Sequence, residues 1–310
     1  MVKMIVKNLT KLYKENTKIS KYALRKVSFN VNFNGGIFTI IGRNGAGKTT
    51  LIRMLSTELL PSSGSINIDG IDVIKNPEKL REKIAVIPQE GRLVPWMTPK
   101  QNIVSYLLWR GFSYKEATTK AIDVLRTFRL EEYMNKLPER LSGGMKRKAL
   151  VAMAVSSDAK IIFLDEPTTG LDPVSRREFW SVLKKLKVDH FIILTTHYLE
   201  EAEELSDKIA VLNNGKLLAF GMIDNLRKSI GYPYAIRVFS KNYKLGKISG
   251  KLIRKEDGTK QIFSSEKEAN KLASEFIQDK VKFSINPTSL EDIFYMIVGN
   301  INEEKENETE

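Results

Sequence analysis

The fold is decided by the stretch IFTIIGRNGAGKTT, which spans Ile37 to Thr50. Its first five residues are typical of a buried strand, because the run is almost entirely apolar and has the length of such a strand. A glycine-rich loop follows, and from Lys48 onward apolar side chains recur at helical spacing. A strand, a glycine-rich loop and a helix in this order predict a cradle for phosphate groups.

Each fixed position of Gly42-x-x-x-x-Gly47-Lys48-Thr49 has a physical reason. Glycines let main-chain N–H groups converge on an anion, and the N-terminus of the following helix adds partial positive charge. Lys48 is long enough to reach the β- and γ-phosphates, and the Thr49 hydroxyl is suited to bind Mg²⁺. We therefore expect a phosphate-binding loop made of Gly42, Arg43, Asn44, Gly45, Ala46, Gly47, Lys48, Thr49 and Thr50.

Two carboxylates follow another buried run, Ile161–Leu164. At the carboxyl end of a strand beside a phosphate loop, the first acid, Asp165, is placed to hold the metal directly or through water. The second acid, Glu166, is placed to polarise an attacking water. This pair predicts a hydrolytic centre at the edge of an α/β sheet.

Two further polar residues stand at strand ends. Gln89 follows the short apolar run Ile84–Ile87 and can reach a bound metal or water. His197 follows Phe191–Leu194, at the same predicted edge as the two acids. We therefore expect Gln89 and His197 in the site, with His197 contacting the γ-phosphate.

A second potential anion site begins at Leu141, where Ser142, Gly143 and Gly144 open a helix. Serine caps such a helix, and the glycines leave its first N–H groups exposed. Within one subunit this helix start need not face the phosphate loop.

An aromatic ring upstream of the phosphate loop is expected to stack on a purine. Tyr13 and Tyr22 are the two candidates, separated by an unusually long connection from Lys14 to Lys21. The sequence leaves the choice between them open.

Composition bounds the possible functions. The 310 residues are 42% hydrophobic and contain no cysteine, which excludes disulfides and thiolate chemistry. A net charge of +13 suits an anionic membrane surface, nucleic acid or simple solubility, and does not choose among them. Apolar runs such as Ala149–Val155 are too short to span a bilayer, so we expect any membrane part to be another polypeptide.

The organisation of the chain predicts an α/β phosphate-loop NTPase core with an antiparallel β subdomain and a helical subdomain, plus a small α+β C-terminal domain. Strands are expected over residues 1–34, and the helical subdomain over about 90–157. Gly231–Pro233 marks a boundary between domains of residues 1–230 and 231–300. A last helix, with a capping box from Thr288 to Glu291, is expected to stop at Gly299 and to precede an acidic, disordered tail over residues 301–310.

Taken together, these motifs resemble, in order and spacing, the nucleotide-binding subunits of ABC transporters. The resemblance covers about residues 1–225, and Leu141–Gly144 is its specific element. It implies a head-to-tail homodimer in which ATP lies between one subunit's Gly42–Thr50 loop and the other's Ser142–Gly144. It also implies Glu166 as general base, His197 as γ-phosphate sensor, Thr49, Gln89 and Asp165 as the Mg²⁺ set, and Asp172 as a further nucleotide-site residue.

The sequence is also similar to the drug-resistance type of exporter ATPase. Met145 replaces the glutamine usual in the family, and Pro167–Pro173 and Ser289–Phe294 have the form found in that subgroup. That resemblance implies a separate polytopic membrane permease and a cytoplasmic location at the inner face of the cell membrane. The expected docking region is Gln89–Met97, whose apolar cluster Leu93–Met97 is either an exposed docking patch or a packed loop.

Two other functional classes compete with this interpretation. A soluble relative acting on ribosomes or DNA would use the positive charge for phosphate contacts. Against it, translation factors of this family usually carry two cassettes, DNA-repair relatives carry a long coiled coil, and this sequence has neither. A nucleotide-gated binding module without turnover is disfavoured by Glu166. We therefore expect no nucleic-acid partner.

Overall fold

A computed structural model describes residues 2–14, 20–240, 243, 245–246, 248–254 and 259–307. It divides into two compact units, Met1–Leu218 and Ala219–Glu310. The strands are, in chain order, β1 (Val2–Lys14), β2 (Ser20–Phe33), β3 (Gly36–Ile41), β4 (Ser63–Ile68), β5 (Ile71–Asp72), β6 (Ile84–Ile87), β7 (Ile161–Asp165), β8 (Phe191–Thr196), β9 (Lys208–Asn213), β10 (Lys216–Gly221), β11 (Tyr234–Val238), β12 (Gly250–Arg254), β13 (Lys260–Ser264) and β14 (Phe283–Pro287). The helices are α1 (Lys48–Leu55), α2 (Pro77–Arg81), α3 (Pro99–Trp109), α4 (Tyr114–Thr127), α5 (Gly143–Ser156), α6 (Pro173–Leu186), α7 (Leu199–Leu205), α8 (Ile223–Ser229), α9 (Glu266–Gln278) and α10 (Leu290–Asn307).

An antiparallel sheet of order β2-β1-β4-β5 opens the first unit. In β2 the side chains of Val27, Phe29 and Val31 are buried, while the residues between them are exposed. This alternation follows from the two-residue period of a strand with one buried face. The predicted antiparallel β subdomain is therefore present.

The second sheet has the order β10-β9-β3-β8-β7-β6. Its pairs β3–β8, β3–β9, β7–β8 and β6–β7 are parallel. β3, β7 and β8 are buried along their whole length, as their continuous apolar runs predict for strands covered on both faces. Parallel order brings the carboxyl ends of β3, β6, β7 and β8 to one edge of the sheet, which confirms the predicted α/β core.

Helices α3, α4 and α5 pack on one another and share a continuous apolar core with β6 to β8. Capping boxes at Thr98 with Gln101 and at Ser113 with Glu116 start α3 and α4. Ahead of α3 the indole of Trp96 is 76% exposed. These helices lie within the predicted helical region.

The second unit contains an antiparallel sheet of order β12-β13-β11-β14. One face carries Ile236, Val238 and Ile262 and packs on α9. The other carries Ala235 and Phe263, which pack with Met296 of α10. The alternation of these residues along β11 places one helix on each face, as an α+β unit requires.

The structure differs from the sequence expectations in this unit. The capping pair of α10 is Ser289 with Asp292: the Ser289 hydroxyl accepts from Asp292 N at 3.1 Å, and Asp292 Oδ2 accepts from Ser289 N at 3.2 Å. The prediction of Thr288 as the cap is therefore wrong, because the buried Thr288 hydroxyl donates to the Tyr232 carbonyl oxygen at 2.6 Å. α10 also continues through Gly299, where its end was predicted. One glycine costs a helix only about 1 kcal/mol, and the Glu- and Lys-containing segment beyond it favours helix.

Other sequence predictions concern the limits of the domains. The two units divide inside β10, and the predicted boundary at residue 230 stays a prediction. β12 was not predicted from the sequence at all. Among the described residues, no helix is both long enough and apolar enough to cross a membrane.

Candidate active site at the carboxyl edge of the parallel sheet

The loop between β3 and α1 has the backbone that its glycines allow. Gly47 has a φ of 104° and caps α1, and a Cβ there would lie 2.4 Å from the Ala23 carbonyl oxygen. At Gly42 a Cβ would lie 2.5 Å from the Leu212 carbonyl oxygen. Any side chain at either position would therefore push the loop away from its neighbours.

A distant turn supports this loop from behind. Between β9 and β10, Asn214 and Gly215 both have positive φ, as a tight hairpin turn requires. Gly215 N donates to the Ala46 carbonyl oxygen at 3.1 Å, and its own carbonyl oxygen accepts from Arg25 N at 2.7 Å. The turn thus joins the loop to strand β2.

A cavity of about 590 Å³, here called the Lys48 cavity, lies against the loop. Ten of the predicted site residues line it: Tyr13, Asn44, Gly45, Gly47, Lys48, Thr49, Thr50, Gln89, Glu166 and His197. Lys21, Tyr22, Ala23 and Thr169 complete the lining. The predicted loop, the second carboxylate and the residues after β6 and β8 therefore meet around one space.

Lys48 is the buried cation of this cavity, with only 5% of the residue exposed. Its Nζ donates to the Gly42 and Arg43 carbonyl oxygens at 3.0 and 3.4 Å. The same Nζ lies 3.1 Å from Oε1 of Glu166. The ammonium group is therefore held at the mouth of the loop.

Glu166 lies at the centre of the polar contacts and is 7% exposed. Its Oε2 accepts from the Thr169 hydroxyl at 3.1 Å and lies 2.9 Å from His197 Nδ1. Burial raises the pKa of this carboxyl, but Lys48, His197 and Thr169 together outweigh it, and the pKa lies below its ordinary value. Glu166 is therefore ionised at neutral pH, the form that a general base requires.

Backbone strain accompanies this position. Glu166 has a φ of 45°, which is uncommon for a residue with a side chain. Its N–H donates to the Thr195 hydroxyl at 3.0 Å and to the Thr195 carbonyl oxygen at 3.1 Å, so β8 holds the turn in this conformation. Strain of this kind is concentrated at functional sites.

A smaller cavity of about 320 Å³ lies beside the first. It is lined by Thr49, Gln89 and Asp165, among others, and the Thr49 hydroxyl donates to Asp165 Oδ1 at 3.3 Å. Hydroxyl, amide and carboxylate oxygens are the hard ligands that Mg²⁺ prefers, so the donor set fits this ion. The described part of the chain holds no group of three or more His, Cys, Asp or Glu side chains suited to a metal, so this mixed set is the candidate.

Ser142 and Gly144 line a different cavity, of about 500 Å³. Ser142 caps α5, accepting from Met145 N at 3.2 Å, and Gly143 is exposed beside it. Among the described residues, the lining of this cavity and that of the Lys48 cavity have no residue in common. The two predicted anion sites of one chain are therefore separate.

Asp172 lies outside both linings. It caps α6, accepting from Val174 N and Ser175 N at 3.0 Å. The hydrogen bonds from Ser175 hold the pKa of this carboxyl below its ordinary value. Its predicted contact with nucleotide stays a prediction.

The two tyrosines lie close together on neighbouring strands. In the β1–β2 register Tyr13 is opposite Lys21 and Leu12 is opposite Tyr22. Tyr13 is 41% and Tyr22 45% exposed, and both line the Lys48 cavity. The choice between them stays open, and residues 15–19 of the long connection lie outside the described residues.

Sequence reasoning missed Thr169 and Thr195. Thr169 donates to Glu166, and the Thr195 hydroxyl donates to Asp165 Oδ1. Both threonines stand at the edge where the acids lie, one after β7 and one near the end of β8. Their position in the sequence could have identified them, because a hydroxyl at a strand end beside two carboxylates can donate a hydrogen bond to either carboxylate.

A parallel sheet with a phosphate loop, an acidic strand end and a separate Ser-Gly-Gly helix start is the combination that the resemblance to an ATP-binding cassette implies. Residues 24–169 match the sequence profile of the family described as ABC transporter. A solved structure of an ATP-binding subunit of an ABC transporter is 30% identical and superposes with a TM-score of 0.63, over 74% of this chain and 93% of that one. The chain belongs to the ABC transporter family, as an ATP-binding cassette.

Two curated relatives are similar in sequence. The daunorubicin/doxorubicin resistance ATP-binding protein DrrA of Streptomyces peucetius is 37% identical over 198 residues, which cover 64% of this chain and 60% of that protein. The phospholipid-transporting ATPase ABCA3 of Rattus norvegicus is 34% identical over 229 residues, which cover 74% of this chain and 13% of that protein. The chain thus spans less than two thirds of either relative.

A second solved structure is the dimer of a bacterial ABC transporter cassette. It is 27% identical and has a TM-score of 0.64, over 71% of this chain and 98% of that one. A post-hydrolysis dimer bound to ADP and Pi matches with the same identity, coverage and TM-score. That cassette of similar fold therefore holds an adenine nucleotide, and the predicted class of this protein, an ABC-type ATP-binding cassette, is confirmed.

Proposed function

We propose that the protein is the ATP-hydrolysing subunit of an ABC-type exporter, that it works as a head-to-tail homodimer, and that it drives a separate membrane permease. The observation that supports a dimer is that, within one chain, the Lys48 cavity is separate from the cavity lined by Ser142 and Gly144, here called the Ser142 cavity. Within one chain, the phosphate loop and the second anion-binding helix start line different cavities. They can therefore bind the same nucleotide only if the phosphate loop of one chain faces the helix start of another. The dimeric cassettes of similar fold support this arrangement.

The proposed chemistry assigns a task to each side chain of the site. Lys48 binds the β- and γ-phosphates, and N–H groups of the loop and the dipole of α1 bind the remaining charge. Glu166 takes the proton of the attacking water, because it is ionised, buried and fixed by three contacts. His197, held 2.9 Å from Glu166, contacts the γ-phosphate.

Thr49, Gln89 and Asp165 would hold Mg²⁺. When bound, that ion neutralises charge that develops on the phosphates. Asp165 is oriented by the hydroxyls of Thr49 and Thr195. Gln89 is exposed and lines both the larger and the smaller cavity, so it can contact metal and nucleotide together.

The proposal of an exporter rests on Met145 and the Pro167–Pro173 segment, together with the names of the drug-resistance and phospholipid-transporting relatives. A surface suited to a permease lies on the helical part. Trp96, Met97 and Leu108 line a groove of about 640 Å³ there, close to the Gln89 loop along the chain. We place the protein in the cytoplasm, against the inner face of the cell membrane, with the permease in this groove and no nucleic-acid partner.

Complementation between two defective chains tests the shared site. Lys48→Ala damages the phosphate loop, and Ser142→Arg blocks the second helix start, so each protein alone has only damaged sites. A mixed dimer has one doubly damaged site and one intact site. We expect the mixture to dimerise with ATP, measured by sedimentation, and to recover some hydrolysis.

Dimerisation is the deciding measurement, because hydrolysis can require two intact sites. If the parent dimerises with ATP and the mixture does not, the head-to-tail assignment is wrong. A site completed within one chain would leave every site of the mixture defective and give that result.

A further inference from the structure

Arg147 lies on the first turns of α5 and is only 8% exposed. Among the described residues, every hydrogen bond that its guanidinium donates goes to a main-chain carbonyl oxygen. Nε donates to Pro167 at 2.7 Å, and Nη2 donates to Glu166 at 3.2 Å. Nη2 also donates to Gln89 at 3.3 Å, and Nη1 donates to Gly91 at 3.5 Å. One side chain thus joins α5 to two separate loops.

These two loops carry the residues that the proposed reaction needs. One follows β7 and holds Glu166, the proposed base. The other follows β6, holds Gln89, the proposed metal ligand, and leads toward the groove at Trp96. Main-chain oxygens of residues on both sides of the site therefore converge on one buried cation.

The planar fork of a guanidinium is suited to this task. It carries five N–H donors in fixed directions, whereas a lysine ammonium offers three donors at a single point. Burial of Arg147 lowers its pKa, and the negative charges of Asp165 and Glu90 act in the opposite direction. The buried charge is also compensated by the four carbonyl dipoles, which a change at either loop would disturb.

We propose that Arg147 is a positioning residue that fixes the Gln89 loop relative to Glu166, so that the metal ligand and the base are aligned for turnover. Arg147 does not line the Lys48 cavity, so it acts through the main chain of these loops and not on the nucleotide. The proposal rests on the roles assigned above to Gln89 and Glu166. Helix α5 would then position two loops of its own subunit, in addition to its proposed contact with the nucleotide of the other subunit.

The test compares Arg147→Lys with the parent and with Arg126→Lys, a matched control. Arg126 is exposed on α4, pairs with Glu131 at 2.9 Å, and lines neither the Lys48 cavity nor the Ser142 cavity. We expect Arg147→Lys to bind a fluorescent ATP analogue within about threefold of the parent Kd, because the phosphate loop is unchanged. Its kcat should fall at least tenfold while KM changes less than threefold, and Arg126→Lys should match the parent in all three values.

Chemical rescue separates positioning from general structure. Arg147→Ala removes the guanidinium and leaves space for a small cation, so millimolar guanidinium should restore part of kcat to the folded variant. Urea has a similar shape without the charge and should restore nothing. Both additives are used far below denaturing concentrations, and the parent is measured beside the variants.

Each other outcome overturns the proposal. A parent-like kcat in Arg147→Lys shows that the fork is not needed. Equal losses in Kd and kcat, or variants that circular dichroism shows to be unfolded, assign Arg147 to the general fold. Failure of the proposed function is seen separately and does not depend on Arg147→Lys: a protein that is not an ATPase shows no ATP turnover in the parent, and parent-like turnover in Glu166→Gln removes the proposed base.

Discussion

Lys48 Nζ and Glu166 Oε1 are 3.1 Å apart, and their side chains are only 5% and 9% exposed. A pair so close and so buried interacts far more strongly than two charges at the surface. Against the effect of burial, the cation of the phosphate loop therefore holds the pKa of the Glu166 carboxyl below its ordinary value, together with His197 and Thr169. In the proposed reaction this contact links binding to hydrolysis, since a phosphate that draws Lys48 toward itself would change the surroundings of the proposed base.

Glu166→Gln is the first prediction. We expect ATP hydrolysis to fall at least 100-fold, because general bases contribute about 10²–10⁴ in rate, while ATP binding stays within a few-fold of the parent. Steady-state turnover and the Kd of a fluorescent ATP analogue measure the two effects. Glu204→Gln, at an exposed residue paired with Lys184, is the matched control and should behave as the parent. Parent-like turnover in Glu166→Gln would rule out its role as the base.

The two tyrosines beside the phosphate loop give the second prediction. Both rings line the Lys48 cavity, so we expect alanine at the tyrosine that stacks on adenine to raise the Kd for ATP by about tenfold, the scale of one stacked base, and alanine at the other tyrosine to leave the Kd near that of the parent. Tyr→Phe at either position keeps the ring and should leave the Kd unchanged. Titration of a fluorescent ATP analogue measures this, and an unchanged Kd in one alanine variant would assign the stacking to the other ring.

The permease surface gives the third prediction. Trp96→Glu combined with Met97→Glu should reduce co-purification of a polytopic membrane protein from the native cells, because two charges would enter an apolar interface. Turnover of the purified variant should stay within twofold of the parent. Val188→Glu is the control, since Val188 is 70% exposed and does not line the groove. If this variant recovers as much membrane protein as the parent does, the groove is not the docking surface. If the parent recovers ribosomes or DNA and no membrane protein, the alternative of a soluble ATPase acting on them would be favoured.

Glu201 gives the fourth prediction, which concerns stability and pH. The residue is fully buried on α7, and its Oε1 accepts from Trp180 Nε1 at 2.9 Å. Burial raises its pKa, and hydrogen bonds offset part of that rise. The folded protein therefore binds this proton more tightly than the unfolded chain, so the contribution to stability is greatest at low pH and falls as pH rises past the ordinary value of 4.5.

Glu201→Gln keeps an oxygen for Trp180 and removes the buried charge. We expect its Tm at pH 7.5 to equal or exceed that of the parent, with the difference shrinking toward pH 5. Glu201→Ala leaves the Trp180 N–H without its partner and should lower the free energy of unfolding by about 1–3 kcal/mol. Calorimetry across this pH range measures both, and a Glu201→Gln protein less stable than Glu201→Ala at pH 7.5 would contradict the argument.

The sequence predicts the edge of the parallel sheet well, because its buried strands are nearly continuous apolar runs and their ends are marked by Gly42, Gln89, Asp165 and His197. Parallel order then brings these ends together. The position of Thr195 at this edge was also a signal, but the particular contacts that Thr195 and Arg147 make were not predictable in this way. They depend on residues 19 to 58 positions away, and no local pattern specifies which carbonyl or carboxylate a hydroxyl or guanidinium will meet.

Smaller errors have local causes. Thr288 and Ser289 are equally good caps by sequence. Ser289 is the cap because the Thr288 hydroxyl instead donates a hydrogen bond to the Tyr232 carbonyl oxygen. β12 lies in a segment whose alternation is weak, and its pairing with β13 provides the hydrogen bonds that make it a strand. In both cases a partner far along the chain decided the local structure.

The turn at Gly215 has a consequence for the order in which the chain is built. Ala46 lies in the phosphate loop, yet its carbonyl oxygen is bound by an N–H that is translated 169 residues later. Strand β3 likewise lies between β8 and β9, which both come from the far end of the unit. Contacts of such long sequence separation form slowly, because a large loop must close before they stabilise anything. The loop that contains Ala46 is thus translated well before the turn and the strands that support it in its final shape.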